Sequence, residues 1–217
     1  MKNVEENELL QGDIRKNLLR ISIPTMLGFV LQAVYDIVDM IWVGRISASA
    51  VAGVTIFSTV FWLVEVLNEI IGSSSVSLIT QSYGKKDMER TQVVVEQTLA
   101  FKALVAIVAA IIMSIILEPL LGFFTTDAEV LKSALDYGYI RIFFLPIMFS
   151  SYSVNTALRC LGDTKTPMKI MVVSAILNIV LDPVFMFDII PGTNIPGFGM
   201  GVFGAALATV ISTVVAF

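Results

Sequence analysis

Gly28–Gly44, GFVLQAVYDIVDMIWVG, decides how the rest of the chain is to be understood. It lies inside an apolar run from Ile21 to Val43, long enough to cross a bilayer. Two carboxylates, Asp36 and Asp39, interrupt it. An Asp at mid-membrane costs about 2.5–3.5 kcal/mol even on the lenient insertion scale. Protein partners or water must offset that cost. Gly28, Gln32, Tyr35 and Asp39 follow i, i+4, i+7, i+11 and form one narrow polar stripe, with Asp36 at its edge. A second acid, Asp182, stands far downstream in LNIVLDPVF. The expectation is that the fold brings Asp39 and Asp182 into one cavity.

Composition bounds the class. Of 217 residues 56% are apolar, with mean hydropathy +0.86, beyond a soluble domain and in the range of a polytopic membrane protein. The formal net charge is −4 without a polybasic block, which argues against a nucleic-acid partner. There is no histidine, so imidazole metal sites, catalytic triads and imidazole proton switches are excluded together. A single cysteine, Cys160, excludes an internal disulfide and reads as a small apolar residue at a helix end. The acidic start, Glu5, Glu6 and Glu8, has no basic region of the signal-peptide kind, so the first span is expected to stay in the membrane.

Six spans follow in order. Residues 1–17 read as a polar cytoplasmic lead-in, and 18–217 as one six-helix unit. Span 1 covers about Leu18–Gly44 and span 2 about Val51–Ile79. Span 3 covers about Val94–Leu117 and is expected to close at Glu118-Pro119. Asp127 reads as an N-cap after a surface connection. Span 4 covers about Asp136–Leu158, across Pro146, and span 5 about Pro167–Phe187. Span 6 starts near Val202 after a Gly/Pro-rich loop. Lys and Arg concentrate on one side: Lys2, Arg15, Lys16 and Arg20; then Lys85, Lys86 and Arg90; then Arg159, Lys165 and Lys169. The alternate loops hold only Arg45 and Lys132. This asymmetry predicts a cytoplasmic N-terminus in a multi-pass cytoplasmic-membrane protein. Lys102 and Arg141 remain, and snorkelling at span ends accounts for them most simply.

On span 5, Asn178 and Asp182 are four residues apart and share a face. Pro183 follows and has no N–H, so the Ile179 carbonyl loses its helical donor and the helix has a potential bend. An amide, a carboxyl and a freed carbonyl within one turn make a candidate cation or proton site; an Asp capping a broken helix is the plainer alternative. On span 2, Glu65, Asn68 and Glu69 either line a cavity with Gln32 and Asp36 or pair with neighbours near the membrane face. Tyr35, Trp42, Phe61, Trp62, Tyr137 and Tyr139 fit cation–π platforms or, more simply, interfacial belts. Phosphate-cradle and dinucleotide motifs are absent, so no nucleotide bound to this chain drives its work.

Five pieces in order give a resemblance to the multidrug and toxic compound extrusion (MATE) transporters. They are Pro24 with Gln32-x-x-Tyr35-x-x-x-Asp39-x-x-x-Val43-Gly44, Thr80-Gln81-Ser82-Tyr83-Gly84, Arg159-x-x-Gly162-Asp163-x-x-x-Pro167, Asn178-x-x-x-Asp182-Pro183, and Gly204-Ala205-Ala206-x-Ala208-Thr209. The chain is similar to the N-terminal six-helix lobe of that twelve-helix, two-lobe, all-α membrane family. The resemblance implies antiport of organic cations or other amphipathic drugs against H+ or Na+, with no other cofactor. It implies a coupling site of Asp39, Asn178 and Asp182, with Tyr35 and Thr209 nearby, and a second six-helix lobe as partner. Glu65 and Glu69 have no role carried over. Two other readings compete: a non-transporting half-lobe, truncated or regulatory, and an intramembrane enzyme using paired acids. Without histidine, the latter would have only carboxylates for a metal.

Overall fold

The computed structural model describes residues 13–216; the lead-in through Gly12 lies outside them, as does Phe217. Seven helices succeed one another: α1 Ile14–Gly44, α2 Ala48–Gly84, α3 Met88–Phe124, α4 Ala128–Phe143, α5 Leu145–Cys160, α6 Lys165–Met186 and α7 Gly201–Ala216. They make six spans, because α4 and α5 are one span broken at Phe144. Pro146 has no N–H, so the Ile142 carbonyl cannot bond there and the helix kinks instead of continuing.

Short polar residues set the helix starts. The side chain of Asp13 accepts from Arg15 N, that of Ser47 from Ala50 N and that of Asp87 from Arg90 N. Asp127 caps α4 as the sequence predicts, accepting from Glu129 N and Val130 N. Several expected boundaries move, among them the end of span 2, at Gly84 and not Ile79, and the start of span 3, at Met88 and not Val94. The Asp13 cap starts α1 at Ile14, so residues 14–17 belong to the helix and not to the lead-in. The expected stop at Glu118-Pro119 is wrong: α3 runs through Pro119 to Phe124. One proline removes a single bond, and Thr125 N still closes the end on the Leu121 carbonyl. Span 4 begins at Ala128, a full two turns before the expected Asp136.

α1 packs on α6, α6 on α7, α7 on α4, α4 on α2, α2 on α3, and α3 on α5, so sequence neighbours are not always spatial neighbours. Close approach needs small residues at the crossings. A Cβ on Gly53 of α2 would sit 2.6 Å from the Val130 carbonyl oxygen of α4, and one on Gly204 of α7 would sit 2.7 Å from the Phe185 carbonyl of α6. Ala205, Ala206 and Ala208 are fully buried at the α7 interface. Phe57 stacks on Phe61 at 5.2 Å and meets the Tyr137 ring edge-on at 5.6 Å, tying α2 to α4. Leu104, Val108, Ile111 and Ile115 of α3 point outward, as a lipid-facing surface requires. α1, α2, α3 and α6 are long and apolar enough to cross a membrane, and α7 is a shorter apolar helix. The loop after α6 folds back, so that Phe198 N and Met200 N donate to the Val184 and Phe185 carbonyls at the α6 end.

Candidate functional site

Two adjoining places within the bundle hold most of the candidate site residues. The first lies where α1, α6 and α7 meet. Asp182 is completely buried, Asn178 is 1% exposed and Asp39 is 7% exposed. Asn178 Nδ2 donates to Asp182 Oδ1 at 3.1 Å and to Thr209 Oγ1 at 3.3 Å. Thr209 in turn donates to the Ala205 carbonyl one turn earlier. The carboxyls of Asp39 and Asp182 are within electrostatic reach of one another. Asp39 Oδ1, Asn178 Oδ1 and Asp182 Oδ2 are buried with no hydrogen-bond partner among the described residues. Buried oxygens of this kind require a donor or a cation. The set is two carboxylates, an amide and a hydroxyl, all hard oxygen donors, and it suits a proton or a hard monovalent cation. Pro183 lies inside α6, leaving the Ile179 carbonyl without its helical donor next to this set.

The second place is a cavity of ≈ 200 Å³ walled by α1, α2, α4, α5 and α6, with Thr213 of α7. Gln32, Tyr35, Glu65 and Asn68 line it, with Phe29 and Phe61 as its aromatic surface. Asp36 and Glu69, two of the candidates for the cavity wall, are not part of the lining. The Asp36 carboxyl faces the Tyr35 hydroxyl instead. Glu69 Oε2 accepts from the Tyr152 hydroxyl at 2.9 Å and feels the charge of Lys102. The two span 2 glutamates thus divide: Glu65 lines the cavity, and Glu69 is held by neighbours.

Lys102 and Arg141 correct the snorkelling expectation. Lys102 is 1% exposed, in the interior of α3, with its ammonium 5.2 Å from the Tyr152 ring centroid. It fits because Gly72 of α2 leaves the space: a Cβ there would sit 3.1 Å from Lys102 Nζ. Arg141 turns inward to the cavity and donates from Nη1 to the Tyr137 hydroxyl at 3.0 Å. Its charge is felt by Asp36 and Asp39 of α1. Tyr137 is 2% exposed, so it belongs to the interior and not to an interfacial belt. Asn155 and Arg159 of α5 also line the cavity. Snorkelling is the wrong expectation for Arg141 because the rule that marks Asp39 applies equally to it: an ionisable group inside a span needs a partner.

A family model described as MatE matches residues 24–184. "Probable multidrug resistance protein YoeA" of Bacillus subtilis is 39% identical over 197 residues, covering 90% of this chain and 41% of that protein. An FAD transporter of Shewanella oneidensis is 25% identical, covering 98% of this chain and 46% of that protein. Among solved structures, a MOP superfamily transporter from Pyrococcus furiosus superposes with a TM-score of 0.88 at 30% identity, over 100% of this chain and 46% of that one. The chain spans about half the length of the curated relatives it matches.

Proposed function

This chain belongs to the MatE family of multidrug efflux transporters, and on that premise we propose that it forms the N-terminal lobe of a cation-coupled antiporter whose coupling site is Asp39, Asn178, Asp182 and Thr209. One observation carries the reading. Two buried acids and a buried amide, on helices far apart in sequence, present three unpartnered oxygens to the same interior region. Two carboxylates in a low-dielectric interior repel one another unless a positive charge or a proton intervenes. The coupling ion, H+ or Na+, supplies that charge. Asn178 holds the Asp182 carboxylate and the Thr209 hydroxyl in fixed register, so that α6 and α7 present their oxygens together. Asp39 brings α1 into the same arrangement. Occupancy then favours the packing of α1 against α6 and α7 that joins these oxygens, and a cation gradient can thereby bias a cavity between two states. Export of organic cations or other amphipathic compounds is the proposed use of that bias. A second six-helix lobe is the proposed partner, since the relatives are more than twice as long.

The test is direct. Asp39→Asn and Asp182→Asn are introduced into the protein completed by a second lobe and reconstituted in liposomes. Each variant is expected to fold and to lose uphill transport driven by a Na+ or a pH gradient. Gradient-dependent transport retained by both variants refutes the assignment. Loss under only one of the two gradients identifies the coupling ion.

A further inference from the structure

Arg141 is a cation inside the bundle that the coupling chemistry above does not use. It stands on the last turn of α4, one turn after Tyr137 and just before the break at Phe144. Its guanidinium has two sides. On one side Nη1 donates to the Tyr137 hydroxyl at 3.0 Å, and that hydroxyl faces the Asp39 carboxyl. On the other side it opens on the cavity that Glu65 lines, and the Arg141 and Glu65 charges interact. Phe61 and Tyr137 hold the cation between their rings at 5.2 and 5.6 Å. Nε is buried and has no partner among the described residues, so the fork has a donor to spare. The ionisable groups around it are Tyr35, Asp36 and Asp39 on α1, Glu65 on α2 and Tyr137 on α4, with Asp182 of α6 reached through Tyr137 and Arg159 of α5 across the cavity. Among the described residues, Arg141 is the cation whose charge reaches Asp39.

We propose that Arg141 is a tethered counter-cation of the acid site, competing with the coupling ion for Asp39 and linking that site to the cavity through Glu65. The inference rests on the coupling-site reading above. Two positive charges cannot share one carboxylate in a low-dielectric interior at no cost. When the coupling ion or a proton neutralises Asp39, the guanidinium loses its attraction on that side. Glu65 is then its remaining acid on the cavity side. The position of the guanidinium on the cavity wall therefore changes with the occupancy of a site whose residues are not part of the cavity lining. Arg141 thus acts as a positioning residue: its effect on transport passes through Asp39 and Glu65.

The test uses the full 217-residue chain in lipid nanodiscs, with Na+ binding followed by calorimetry and carboxyl protonation by difference infrared spectroscopy. Removing one unit charge about 12 Å away, at an effective dielectric of about 20, changes cation affinity about tenfold, and more at shorter range. Arg141→Gln is therefore expected to bind Na+ about tenfold more tightly, or to protonate at a tenfold lower proton concentration. Arg141→Lys keeps the charge and stays near wild type. A merely structural arginine would give weaker binding in Arg141→Gln, or none. Glu65→Gln, on the cavity wall, provides a second arm that does not depend on the folding of the Arg141 variants. It removes the competing acid, leaves Arg141 more firmly on Asp39, and is expected to weaken ion binding several-fold. Unchanged affinity in both Arg141→Gln and Glu65→Gln overturns the counter-cation while leaving the coupling site intact. A wild-type chain that takes up neither Na+ nor protons at these acids overturns both readings.

Discussion

Asn178 of α6 and Thr209 of α7 are 31 residues apart, and the amide of the first donates to the hydroxyl of the second at 3.3 Å. That bond spans the Gly/Pro-rich loop and locks the two helices that carry most of the acid site. Thr209→Val keeps the shape and removes the hydroxyl. The Asn178 amide would lose one of its two acceptors, at a cost of about 1 kcal/mol in stability. Ion affinity should fall with it, because one oxygen ligand is gone. Thermal unfolding and Na+ or proton titration of the variant check both effects; an unchanged ion affinity would remove Thr209 from the site.

The Lys102–Glu69–Tyr152 cluster makes a different prediction. Glu69 is exposed, so Glu69→Gln should cost on the order of 1–2 kcal/mol, less than the loss of a fully buried partner. The loss arises because Lys102 stays in the interior with its counter-charge removed. Lys102→Met should be milder, since the methionine fills the same channel beside Gly72 without a charge. Unfolding midpoints of the two variants decide the order. A lysine variant less stable than the glutamate variant would mean that the ammonium makes a stabilising contact of its own. If Glu69→Gln lowers transport of cationic and neutral substrates equally, its role is structural.

Acid stability can be read at Asp163, outside the spans. Partial burial works against its charge, but the Thr166 hydroxyl, the Thr166 and Lys165 backbone N–H groups and the Lys169 charge hold the carboxyl below its ordinary range. A carboxyl lowered in the folded state stabilises fully above its unfolded value of about 3.9, and that stabilisation is lost as the pH falls below it. Asp163→Asn should therefore reduce stability at pH 7 and narrow the gap to wild type at about pH 3. Melting curves at the two pH values test it. An equal gap at both would exclude the charge as the cause.

Orientation is open to chemical labelling. With Cys160 replaced, a cysteine at Lys86 or Lys165 should be shielded from impermeant thiol reagents in intact cells, and one at Thr193 should be labelled. Labelling at Lys86 from outside would invert the proposed topology.

The sequence by itself determined the class of the molecule and marked Asp39, Asn178 and Asp182 as polar groups inside apolar spans. Hydropathy is a local quantity, so six apolar stretches can be counted without knowing how they pack. The polar stripe on α1 and the Asn178/Asp182 pair on α6 are also local, because helical periodicity alone puts their members on one face. Boundaries were legible where a side chain caps a helix, as at Asp127. They were misread at Pro119, where the lipid-facing helix tolerates one lost bond, and at Phe144, where the break falls inside a span. Only the tertiary structure decided which way Lys102 and Arg141 point. A long basic side chain has no periodic signature, and whether it snorkels or turns inward depends on the space its neighbours leave. For Lys102 that space is the missing Cβ of Gly72. For Arg141 it is set by Tyr137 one turn earlier on α4 and by Phe61 of α2, and the contact with Phe61 is long-range and absent from any local pattern.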